Sequence, residues 1–199
     1  AAAIFAQRGF HQTRIDDIAR DTGLSKGSIY WYFQSKDAII MALWQHVFEQ
    51  ERDLLRTLLD DPAPVSERIL RFTEQFITDA GHMHAAGHLP LVYEFYALST
   101  RKPDIQAFIQ EHFQGYRALL LPLIQQGIQR GEFRPVDPET VVITLSALYE
   151  GLILVWALAL DPQHTSLAHQ VRQSVHLVLD GLREQNREPE AAHDNAAHA

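Results

Sequence analysis

Thr13-Arg-Ile-Asp-Asp-Ile-Ala-Arg-Asp-Thr-Gly-Leu-Ser-Lys-Gly-Ser-Ile-Tyr-Trp-Tyr-Phe-Gln-Ser-Lys36 reads as two short helices joined by a glycine turn. Ile15, Ile18 and Ala19 fall at helical spacing, Gly23 and Leu24 supply the turn, and Ser25 stands where an N-cap starts the next helix. Ile29 and Phe33, four apart, pack that helix inward and leave Lys26, Gly27, Ser28, Tyr30, Trp31 and Tyr32 around the remaining surface. A helix this short is marginal alone and must be held by neighbours, which suits a presented reading element better than a core strut. The plain alternative is an ordinary helical hairpin whose Lys26 and Lys36 are merely solvated. A glycine turn, a capped second helix and a Tyr-Trp-Tyr cluster ending in Phe33 coincide here, and together they favour a helix-turn-helix with a face for the groove of a nucleic acid.

Upstream, residues 1–9 read as the end of a helix carrying Ile4 and Phe5, closed by Gly9, with Phe10 packing back. Ala1 reads as a helix interior, so a start upstream of it is expected, and no signal peptide is visible. Thr13 is the expected N-cap of the second helix, with Asp16 and Asp17 in its first turn, where the dipole favours negative charge. Together these make a three-helix head over residues 1–45. Ser35 is the expected cap of a long helix in which Ile39, Ile40, Leu43, Trp44, Val47, Phe48, Leu54, Leu55, Leu58 and Leu59 keep helical spacing. At ~1.5 Å per residue it is roughly 35 Å long and is the continuous link to everything after it.

A second domain is expected over residues 46–184. Asp60-Asp-Pro-Ala-Pro64 breaks the chain, Val65 resumes a helix, 81–87 interrupts it, and further helices run through 105–128, 139–160 and 167–183. No strand pattern of period two is visible, so the fold class is all-α. A flexible tail is expected over 185–199.

The net charge of −8 looks wrong for a partner of nucleic acid until it is divided along the chain. Residues 1–45 carry five basic side chains (Arg8, Arg14, Arg20, Lys26, Lys36) against four acidic ones (Asp16, Asp17, Asp21, Asp37), and the rest carries 12 against 21. An acidic body helps orient a cationic head by repelling the duplex from its other faces, and so modest a head needs two copies for useful affinity. The absence of cysteine removes disulfides and thiolate metal sites and fits a reducing compartment, expected to be the cytoplasm.

Ala6 to Phe10, Thr13, Asp17-Ile18-Ala19, Gly23-Leu24-Ser25-Lys26-Gly27-Ser28-Ile29-Tyr30, Tyr32-Phe33 and Ser35-Lys36 stand in an order and spacing that resembles the head of the tetracycline-repressor (TetR/AcrR) family of bacterial transcription regulators. The likeness covers about a fifth of the chain and is specific there. It implies an all-helical homodimer with a recognition helix over 26–32 and a larger domain that binds a small molecule and dimerises through its last two helices. Lys26, Gly27 and Ser28, with Ser25 before them, then become candidates for base edges and nearby backbone. Thr13, Tyr30, Tyr32 and Lys36 become candidates for phosphates, and Trp31 packs or touches the groove. Arg14 departs from the small hydroxyl residue more usual there, which leaves open a cap or a DNA contact of its own.

The run 141–160 is apolar enough to raise a membrane span, but Glu150 sits in it, and acidic flanks without basic asymmetry argue against one. The better reading is a helix buried on most sides, with Tyr149, Leu152 and Val155 at a subunit interface beside Leu167, Val171, Val175 and Leu179. Glu150 either bonds Tyr149 or another core group, or meets a ligand. Trp44, Phe72, Phe76, His88, Tyr93, Tyr96, Phe113, Tyr116 and Trp156 are candidate walls of a pocket for an apolar or aromatic molecule. His82, His84 and His88, two and six apart, share no helix face as metal ligands would, so no metal and no cofactor is expected, and a polar hinge is the default. No phosphate loop or nucleophile elbow is present, and no enzyme is expected. The combined expectation is a repressor that leaves a palindromic DNA operator when ligand enters. The rivals are a ligand-independent regulator or activator and, from another class, a helical metal-binding protein or enzyme.

Overall fold

In the computed structural model the described residues, 1–158 and 166–183, form nine helices: α1 (Ala2–Gln12), α2 (Ile15–Thr22), α3 (Lys26–Tyr32), α4 (Lys36–Leu59), α5 (Val65–Ala85), α6 (Leu89–Ser99), α7 (Pro103–Gln129), α8 (Pro138–Ala157) and α9 (Leu167–Leu182). Ser25 and Ser35 cap as the sequence predicts: Ser25 Oγ accepts the Ser28 N–H at 3.0 Å and Ser35 Oγ accepts that of Ala38 at 3.1 Å. Gly23 closes α2 at φ +70°, a left-handed conformation that side chains resist. Thr13 is not the cap of α2. That place belongs to Arg14, whose N–H donates to Asp17 Oδ2 at 3.0 Å, while the Thr13 hydroxyl points back and donates to Gly9 O at 2.7 Å.

Two apolar clusters hold the helices. The first joins Phe5, Phe10, Ile18 and Ile29 of the head to Ile40, Trp44 and Phe48 of α4 and onward to Leu91, Phe95 and Leu98 of α6 and Ile105 and Ile109 of α7. The second fills the body with the far half of α4, α5, the rest of α7, α8 and α9. Arg68, fully buried, ties the body's helix ends together by donating to Leu58 O at 2.8 Å, Leu59 O at 3.2 Å and Gln126 Oε1 at 3.0 Å.

Three expectations change. Helix α5 runs through Gly81 and stops only at Ala85, so the break is confined to the turn around Gly87. Helix α8 is buried along one face only: Val141, Val142, Leu145 and Tyr149 point inward, while Ile143, Leu154 and Leu158 are exposed. Leu167, Val171, Val175 and Leu179 are 0–5% exposed within a single chain, because they are the stripe that attaches α9 to its own body. They and Tyr149 are therefore core, not interface. Leu152 and Val155 are half-buried. The expected tail, 185–199, and the end of the expected helix 139–160 lie outside the described residues.

At Gly127 the α7 backbone lies against the buried Phe133 ring so closely that an added Cβ would collide with it. Gly127→Ala is expected to cost about 2 kcal/mol by overpacking, a fall in Tm of roughly 4–8 °C in a thermal melt.

Candidate functional site

Helix α3 is held from behind by Ile29 and displays the rest of its surface. Trp31 is 83% exposed, Tyr32 75% and Tyr30 49%, although rings of this size usually find burial. Lys26 and Gly27 are exposed and Ser28 half-buried. Lys26 rests on Asp16 of α2 at 2.9 Å, a contact that raises its pKa, and Arg14 stands exposed at the start of α2. A Cβ at Gly27 would meet only Ser25 Oγ at 3.8 Å. Nothing in the chain itself therefore calls for glycine there, although glycine inside a helix costs about 1 kcal/mol against alanine.

Two predicted contacts turn inward. Thr13 is 1% exposed. The Lys36 ammonium donates to the carbonyls of Phe10, His11 (3.3 Å) and Thr13 (2.9 Å) and sits 4.3 Å from the centre of the Phe10 ring. Burial lowers its pKa. Both residues hold the end of α1 against the start of α4, Thr13 buried and Lys36 half-buried. The same corner is gripped from the body: Glu94 of α6 accepts the Phe10 N–H at 2.7 Å beside Gly9, whose φ of +75° lets the chain turn there, and Lys102, just before α7, donates to Asp37 at 2.6 Å.

A small cavity of about 40 Å³ lies in the body between α4, α5, α7 and α8. Of the predicted walls it unites Phe72, Phe76, Phe113, Tyr116 and Glu150. Tyr96 joins through its hydroxyl, which donates to Glu150 Oε1 at 3.2 Å. Glu150 does not bond Tyr149, whose hydroxyl pairs with Thr73 at 2.8 Å. Trp44 is not a wall: it is 6% exposed and stacks on Phe48 and Phe95 in the head-side cluster. Trp156 stands against His84, ring centres 4.3 Å apart, while His88 occupies the position before α6, and His82 is exposed. Tyr93 is half-buried with its hydroxyl unpartnered.

Glu51, His112, Ser146 and Tyr149 complete the lining. The first two were legible in principle: Glu51 interrupts the stripe Trp44, Phe48, Leu55, Leu58 of α4, and His112 the stripe Ile105, Ile109, Tyr116, Leu120 of α7. His112 is stacked flat on Phe48, ring centres 3.5 Å apart, and burial holds its pKa down at about 4, so the ring is neutral. Burial, and then the charge of Glu150, push Glu51 up to about 7, while burial raises Glu150 itself.

Residues 1–43 match the family description "Bacterial regulatory proteins, tetR family", and residues 65–182 match "BetI-type transcriptional repressor, C-terminal". A fatty acid metabolism regulator protein of Bacillus subtilis is 26% identical over 135 residues, 67% of this chain and 67% of its own length. The solved structure of the transcriptional regulator FadR from Bacillus subtilis in complex with stearoyl-CoA superposes with a TM-score of 0.74 at 23% identity, covering 92% of this chain and 96% of that one. That of a putative transcriptional regulator from Saccharomonospora viridis in complex with choline gives 0.77 at 24%, covering 92% and 94%.

Proposed function

Since the chain belongs to the tetR family of bacterial transcription regulators, with a BetI-type C-terminal part, we propose that it is a repressor that binds a palindromic operator as a homodimer and leaves it when a small molecule fills the central cavity. Residues 1–45 are the DNA-binding unit and 46–184 the effector and dimerisation unit, working in the bacterial cytoplasm. The observation that carries the DNA reading is α3 itself, with Trp31 and Tyr32 in solvent and a glycine whose backbone lies open, an added Cβ meeting only Ser25 Oγ at 3.8 Å. Lys26, Gly27 and Ser28 face base edges, and Tyr30, Tyr32 and Arg14 face phosphates. The exposed Ile143 and Leu154 of α8 and Leu158 just after it, with Leu177 of α9, support a partner subunit on that side.

Release is a population shift. His112 on the cavity wall stacks on Phe48, Phe48 on Trp44, and Trp44 on Phe95, one residue from the Glu94 that holds Phe10. An effector that favours one arrangement of these rings over another changes the tilt of α4, and with it the distance between the two recognition helices.

Selection of genomic DNA fragments by the purified protein tests this: the expected result is a short palindrome, bound in a steeply salt-dependent way. Recovery of no common sequence would overturn the reading. Gly27→Ala is expected to raise Tm slightly and to weaken the selected operator by about tenfold or more, because a methyl group then holds the backbone off the duplex. The relatives' ligands differ in charge, stearoyl-CoA being anionic and choline cationic, so the charge of the effector is a question for this chain's own cavity.

A further inference from the structure

Gly9 leaves the helical conformation, at φ +75° and ψ 160°, and the N–H groups just beyond the break are taken by a side chain of the body. One carboxylate, Glu94 of α6, accepts the Phe10 N–H at 2.7 Å and the His11 N–H at 3.4 Å, a role that a capping residue ordinarily fills from within its own helix. A second tie lies beside it. The Lys102 ammonium, just before α7, donates to both oxygens of Asp37 in the first turn of α4, at 2.7 and 2.6 Å, and stands 5.5 Å from the centre of the Phe10 ring. Glu94, Asp37 and Lys102 are all half-buried. Much of the remaining seam between head and body is apolar, with Phe95 stacked on Trp44 at 5.6 Å. Apolar contact opposes separation without favouring a direction, whereas a short charge-assisted hydrogen bond fixes one. Neither tie involves a residue of α3.

We propose that Glu94 and Lys102 are positioning residues that determine which half-site spacing the dimer accepts: by pinning the end of α1 and the start of α4 to the body they fix the angle of the head, and with it the separation of the two recognition helices, independently of which bases α3 reads. This rests on the reading of the chain as a dimeric DNA-binding regulator. One base pair more or less between the half-sites shifts the second by about 3.4 Å and turns it by roughly 35° around the duplex. The heads can follow only by turning on the body, which stretches the Glu94 and Lys102 contacts in both protomers. The worth of those contacts is therefore part of the penalty against a wrongly spaced site, a discrimination built from what the wrong partner must break. A variant that lacks them has less to break.

The test is fluorescence anisotropy of the full chain on the genomically selected palindrome, on the same palindrome with one base pair inserted or removed at its centre, and on one with a base substituted in each half-site. In the parent the change of spacing is expected to weaken binding about thirtyfold or more, since simultaneous engagement of the two heads is lost. Glu94→Ala and Lys102→Met should each cut that spacing penalty about fivefold or more, while the penalty for the base substitution stays within about twofold of the parent's. Glu94→Gln keeps an acceptor for the Phe10 N–H and should fall between the parent and Glu94→Ala. The exposed Glu67→Gln should change neither penalty. A thermal melt of the same samples shows which variants are folded, and if Glu94→Ala is not, Glu94→Gln and Lys102→Met decide. A parent indifferent to spacing, or a spacing penalty unchanged in the folded variants, overturns the proposal and leaves the DNA reading standing. Spacing and base penalties that fall together also overturn it, because the substitutions then act on α3 itself. If no palindrome is selected at all, the DNA reading fails and the proposal falls with it.

Discussion

Trp31→Ala combined with Tyr32→Ala is expected to leave the melting temperature within about 2 °C of the parent and to weaken operator binding by about a hundredfold or more. The two rings are 83% and 75% exposed, so little apolar burial is lost when they go, and surface changes of that kind usually fall within ~0.5 kcal/mol. On DNA the balance reverses. Each ring that touches a base edge or the sugar-phosphate chain contributes about 1–3 kcal/mol, and a dimer presents every contact twice. Fluorescence anisotropy with the selected duplex, beside a thermal melt of the same samples, separates the two effects. Full affinity in the double variant would mean that α3 faces something other than DNA.

Lys36→Met is expected to act in the opposite manner, through stability. Its ammonium is shared among the carbonyls that end α1 and lies over the Phe10 ring. Removing a charged donor from several partly buried carbonyls costs about 3 kcal/mol, a loss of roughly 6–12 °C in Tm, and methionine keeps most of the stem's packing so that the deficit reports the charge. The folded fraction should bind DNA with an unchanged dependence on salt, because a lysine on phosphate contributes about 0.9 to that slope and this one is engaged elsewhere. A slope flatter by about one unit, with Tm unaltered, would return Lys36 to the duplex.

Lys36 also shows what a sequence discloses. The helix-turn-helix was readable because its signals are local: Ser25 and Ser35 cap, Gly23 turns, and Ile29 points inward by spacing alone. The inward roles of Thr13 and Lys36 depend on how α1 ends against α4, a contact between segments more than twenty residues apart, and a lysine next to a recognition helix looks the same in either role. Helix α9 gives a related lesson. Its stripe was correct, but periodicity identifies a face without saying what covers it, and the cover proved to be the chain's own body. Aromatic composition pointed to a cavity and located four of its walls, Phe72, Phe76, Phe113 and Tyr116, yet Glu51 and His112 passed unseen because each sits as a single polar interruption in a long apolar stripe. Of the two, Glu51 is the one that adds a second carboxyl group to the wall beside Glu150.

The central claim is that two copies of α3 read one duplex together. Hydroxyl-radical footprinting on the selected palindrome, with the number of chains per duplex measured by sedimentation, tests it most directly. The account predicts an even number of chains and two protected patches on one side of the DNA, separated by whole helical turns of about 10 base pairs. A single bound chain with a single protected patch, or no protection at low ionic strength, would contradict it.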